Sequence, residues 1–134
     1  MTASIYDLFK TDALLEEKGV WVDYGQYGKF LLARAGGANS KYSKVLEHKT
    51  QPYRHNIKNV SNDILEGVLF DTFIETLLLD WQGIYDEDGK TIPFNQENAK
   101  KLLSELNNLY LNLREQAGDL ALYRSKLLEE DAKN

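Results

Sequence analysis

Apolar residues change their spacing along this chain, and each spacing predicts an element. Ile5, Leu8, Phe9 and Leu14 recur at helical intervals and predict a short helix or ordered arm over Ile5–Glu17. Val20, Val22 and Tyr24 then alternate with Trp21 and Asp23 at period two. With Phe30–Arg34 they flank Gly25-Gln26-Tyr27-Gly28, a glycine-bounded connection of hairpin length. An isolated two-stranded hairpin is marginal in water, so a helix must cover one of its faces.

Gly36–Ser40 reads as a loop in which Asn39 or Ser40 can cap a helix over Lys41–Lys49, and only a kink carries that helix past Pro52. Ser61 or Asn62 opens a long helix to about Trp81. Its apolar residues, from Ile64 through Phe73 to Leu79, form a stripe too broad for a surface helix, and Asp63, Asp71 and Glu75 mark its wet side. It is expected to be the central core helix. Ala99, Leu102, Leu103 and Leu106 continue helical spacing after Asn95. A last helix is predicted through Leu109, Tyr110, Leu113, Ala117, Leu120, Tyr123, Leu127 and Leu128. Gly118 costs it about 1 kcal/mol relative to alanine and allows a bend. The tail EEDAKN is expected to fray.

The most informative stretch is Leu77–Asn98, LLLDWQGIYDEDGKTIPFNQEN. Trp81 needs a partner for its indole N–H, and Gly83 suits a helix exit. Asp86-Glu87-Asp88-Gly89 reads as an exposed turn. Pro93 pushes Ile92 towards extended geometry, and Asn95 can cap a helix with Asn98 as a weak counterpart. Trp21, Trp81, Gly83, Asp86, Gly89, Pro93, Phe94 and Asn98 are therefore read as fold-defining. A calcium loop fails here. With Gly89 at the sixth position of an EF-hand, Ile84 and Asn95 occupy the first and twelfth, where ligands are required.

A chain of 134 residues predicts a single domain. The expected class is mainly α (α+β): a compact helical domain with one N-terminal antiparallel β-hairpin. Residues 1–18 form an arm or helix, 19–35 the hairpin and 40–131 the helices, with no internal repeat or linker. The absence of cysteine excludes disulfides and thiolate metal sites. The N-terminus has no basic start or long apolar run, and no segment approaches the roughly 18 residues of a membrane span, so a soluble, intracellular protein is expected.

A net charge of −5 argues against nucleic-acid binding. Its distribution says more. Lys41–Lys58 is almost purely cationic, whereas Asn59–Gly89 carries acids and no Lys or Arg. Two packed helices with complementary solvent faces account for this pattern best, ahead of a bipolar docking surface. Tyr42 and Tyr53 within the basic stretch suit the fold better than base stacking.

No chemistry is spelled out. GxSxG and SxxK are absent, and no glycine pattern makes a phosphate cradle. His48 and His55 are too far apart in sequence for the zinc-protease helix. Catalytic, cofactor-binding and metal-binding residues are accordingly expected to be none.

In order along the chain, SIYDLFKTD, GVWVDYG, ARAGGAN, QPYR, LLLDWQGIYDEDGKTIPFNQENAKKLL, NLYLNL and EEDAKN resemble the tail assembly chaperones of long-tailed bacteriophages and prophages. The D-W-x-G, D-x-D-G, P-F and E-N run is the most specific part. The chain departs from that family at Asn107, where members often carry proline, and at Tyr123, where they often carry phenylalanine. The resemblance implies a non-enzymatic protein that binds the tape measure protein and keeps it soluble in the host cytoplasm. It implies homo-oligomers, contact with the tail tube protein through a longer frameshifted form, and absence from the finished virion. Leu109, Leu113, Leu120 and Leu127 are the expected partner surface, and completing the core is the competing role for them. The alternative function is a helical interaction adaptor acting as a regulatory homodimer.

Overall fold

The computed structural model describes residues 2–124. Leu127, Leu128 and the EEDAKN tail lie outside the described residues. The N-terminal arm is two short helices, α1 (Ile5–Phe9) and α2 (Ala13–Lys18). Ser4 and Asp7 form a reciprocal capping box on α1, and the Asp12 carboxylate accepts from Leu14 and Leu15 N–H at the start of α2. The hairpin follows as β1 (Val20–Asp23) and β2 (Lys29–Leu32), joined by a 3₁₀ turn at Gly25–Tyr27. Its register pairs Val20 with Leu32 and Val22 with Phe30, so one face points into the core. On the opposite face the Lys29 ammonium sits 4.7 Å from the Trp21 ring centre.

Helix α3 (Ser40–Thr50) packs on α4 (Asn62–Thr76). Lys49 Nζ lies 3.0 Å from Glu75, consistent with complementary solvent faces on these two helices. Pro52 falls in a separate 3₁₀ turn, Gln51–Tyr53, which takes over where α3 stops.

The long helix expected to reach Trp81 ends at Thr76, and the hairpin is not the whole sheet. Leu78–Gln82 is a third strand, β3, antiparallel to β2 in the order β1-β2-β3. The run Leu77-Leu78-Leu79 fits a helix or a strand equally by periodicity. What decides it is the free edge of β2, whose backbone groups need partners that β1 cannot supply. Phe30 pairs with Trp81 across that edge, and a register shift at Leu31/Leu32 accommodates the bend. Gly83 therefore closes a strand rather than a helix, with φ of 72°.

Helices α5 (Gln96–Glu105) and α6 (Asn107–Ala117) complete the fold. The predicted last helix stops at Ala117, and Leu120–Tyr123 is a 3₁₀ turn, so the break falls at Gly118. The core joins Val22, Phe30 and Leu32 of the hairpin to Phe73, Ile74, Leu77, Trp81, Leu103, Tyr110 and Leu113. Three successive amides after β2 tie the layers together. Ala33, Arg34 and Ala35 N–H donate to the carbonyls of Leu77, Glu16 and Ala117.

Candidate protein-docking groove

The stretch after β3 is built as a support. Trp81 is buried, and its Nε1 donates to the Ile92 carbonyl at 2.8 Å. Phe30 and Phe94 meet its ring edge-on at centroid distances of 6.0 and 5.1 Å. The Asp86 carboxylate accepts the Asp88 and Lys90 N–H groups, and Gly89, at φ of 81°, turns the chain back so that Ile92 N–H reaches the Ile84 carbonyl. This occupies the Asp86 side chain in the turn itself. Asn95 caps α5 through Asn98 N–H at 2.7 Å. The Asn98 side chain does not return the bond to Asn95. It donates to the Pro93 carbonyl at 2.9 Å, which ties the Pro93-Phe94 pair to the helix.

That support fixes one wall of an apolar groove of about 440 Å³. Phe30 of β2, Ile84, and Leu102 of α5 form its floor. Tyr24 and Tyr27 rise from the hairpin end, Tyr85 from beyond β3, Leu106 from the α5–α6 junction and Leu109 from α6. Tyr27 is 74% exposed, Tyr85 59% and Leu106 50%. Gly28 holds the two sides together. A Cβ there would fall 2.6 Å from Ile84 Cδ1 and 2.7 Å from the Gly83 carbonyl, at a φ of 99° that side chains rarely adopt. Tyr24 stacks edge-on against Phe30 and donates its hydroxyl to Asn112, fixing the groove's rear wall. Partial burial raises the Tyr24 pKa, partly offset by the nearby Gln116 side chain.

The sequence-predicted partner leucines do not share one surface. Leu109 lines the groove, Leu113 is fully buried in the core, and Leu120 is half-buried in the last 3₁₀ turn. Leu127 lies outside the described residues. Tyr24, Tyr27, Tyr85 and Leu106 were not anticipated as partner residues. The signal available was large apolar side chains placed in turns, between Gly25 and Gly28, after Ile84 and before Asn107.

A buried ion pair also escapes the sequence pattern. Glu16 on α2 is buried and pairs with Arg34 just after β2, while its other oxygen accepts the Ala38 N–H. Among the described residues no buried side-chain nitrogen or oxygen lacks a partner. No described helix is long and apolar enough to cross a membrane.

Among known families, the one described as YdaY prophage protein matches residues 37–134. The match takes in β3, α5, α6 and the groove residues Ile84, Tyr85, Leu102, Leu106 and Leu109. No curated protein and no solved structure matches the chain.

Proposed function

We propose, from the premise that this chain belongs to the YdaY prophage protein family, that it is a non-enzymatic tail assembly chaperone whose groove holds an apolar helix of the tape measure protein. The observation that carries this reading is the groove itself, with Tyr27, Tyr85 and Leu106 exposed around an apolar floor. Amphipathic helices bind such grooves through side chains spaced one turn apart. Aromatic walls suit a partner of varied sequence, because a ring offers a large apolar face with a polar tip. The resemblance in the Leu77–Asn98 region supports the same reading, since that stretch builds the groove wall. On this reading the protein acts in the host cytoplasm and is absent from the finished virion. Contact with the tail tube protein belongs to a longer form.

Co-expression tests it. The tape measure protein encoded by the same prophage should be soluble with the wild-type chain and aggregate with L106D. A tape measure protein equally insoluble with and without the wild-type chain would remove the proposal. The homodimeric adaptor reading remains the second choice, favoured by the exposed apolar arm Ile5–Phe9.

A further inference from the structure

We propose that the groove selects partner helices whose apolar stripe is bordered by Lys or Arg, an inference that rests on the groove being the partner site. Two features of its wall point the same way. Leu102 faces the groove on one side and a polar notch of about 180 Å³ on the other, and Asp86, Asn98, Lys101 and Glu105 line that notch. A side chain anchored on the groove floor therefore has a carboxylate nearby, since Leu102 and Glu105 are roughly 4.5 Å apart along α5. Tyr27 and Tyr85 stand exposed at the rim. Among the described residues, the cations lying over rings are Lys29 on Trp21 and Arg114 on Tyr110, so neither rim tyrosine is covered by one. Open aromatic faces beside carboxylates are the chemistry that receives an ammonium or a guanidinium.

The charges beside the groove favour that class of partner. The turn after β3 carries Asp86, Glu87 and Asp88 against Lys90, and α5 carries Glu105 against Lys101. All six are exposed, and none makes an ion pair among the described residues. On the hairpin, Asp23 and Lys29 oppose each other on the face turned away from the core, where the Lys29 ammonium lies over Trp21. Helix α6 adds the uncharged amides of Asn112 and Gln116, which bond to each other, while its Arg114 is held by Glu66 at 2.8 Å. Four carboxylates thus stand against two ammoniums. An incoming helix meets net negative charge on the side of Leu102 and neutral amides on the side of Tyr24.

This rim discriminates by repulsion as well as attraction. A helix with Asp or Glu along the same border brings like charges together, and that penalty separates it from a basic one with the same apolar stripe. Exposed charges are screened beyond roughly 8 Å at physiological salt, so the rim sets a preference and an orientation while apolar contact supplies the affinity.

Fluorescence anisotropy on the full chain tests it with two labelled synthetic helices of about 18 residues, identical in composition and of zero net charge. Both carry leucine at i, i+3, i+4 and i+7. In one, lysines border the leucine stripe and glutamates lie opposite, and in the other the two are exchanged. The lysine-bordered helix should bind about fivefold more tightly at low salt, and the difference should vanish near roughly 1 M salt. Reversing two exposed charges together, Glu87→Lys and Glu105→Lys, should erase the preference, whereas L106D should weaken both helices alike. Equal binding of the two helices to the wild type, lost in L106D, would overturn the charge selection and leave the groove reading standing. Binding that L106D does not weaken would place the helices elsewhere and count against both. A preference unchanged by the double reversal would overturn the inference, as would failure of both helices to bind, and co-expression then judges the groove by itself. If the double variant loses its circular dichroism signal, Glu105→Lys alone replaces it. A preference reduced about twofold then supports the inference, and an unchanged one overturns it.

Discussion

At the scale of single residues, Glu16 and Tyr123 each bury an ionisable side chain. Glu16 is held among Arg34, Ala38 N–H and a close approach from Gly37. Removing Arg34 leaves a buried carboxylate without a cation, whereas removing the charge of Glu16 leaves a guanidinium that still reaches water. Arg34→Leu should therefore cost about 3 kcal/mol and Glu16→Gln about 1 kcal/mol, read as shifts in urea midpoint at constant slope. Equal costs would show that the pair contributes no burial asymmetry. Tyr123 is fully buried, and that burial raises its pKa well above the ordinary value of 10.0. The folded state holds the phenolic proton more tightly than the unfolded chain, so its contribution is complete below about pH 10 and is lost as pH rises further. The melting temperature should fall above pH 10 more steeply in the wild type than in Tyr123→Phe. Tyr123 sits among the apolar positions expected of the last helix and is buried, whereas the burial of Glu16 is not legible, because a lone Glu in a short helix carries no mark of the cation it will meet.

At the scale of elements, the hairpin was legible because its period of two and its bounding glycines are local signals. The Asn95 cap was legible for the same reason. Asn95→Ala should cost about 1 kcal/mol by loss of the bond to Asn98 N–H, measured by thermal denaturation. The third strand was not legible. Leu77–Leu79 carries no period, and the free edge of β2 that recruits Leu78–Gln82 lies nearly fifty residues earlier in the chain. The Trp81 indole bond is a similar case: the need for a partner follows from the residue type, while its identity, the Ile92 carbonyl, follows from the sheet. Trp81→Phe should cost on the order of 2 kcal/mol in a denaturant titration, mostly by stranding that carbonyl.

At the scale of the whole molecule, function depends on surfaces that no single segment owns. The groove draws on the hairpin end, the β3 exit, α5, the α5–α6 junction and α6. Each contributes between one and three side chains that look unremarkable in sequence, so their convergence is a property of the fold. Leu109 and Leu113 are both expected on the partner surface that goes with the resemblance, yet Leu109 lines the groove and Leu113 is buried in the core. The most direct test of the groove as the partner site is hydrogen–deuterium exchange on the wild-type chain with and without the tape measure protein of the same prophage. Slowed exchange concentrated at residues 24–28, 84–86 and 102–109 is the predicted footprint. Protection confined to α3 and the exposed face of α4, with the groove unchanged, would contradict it.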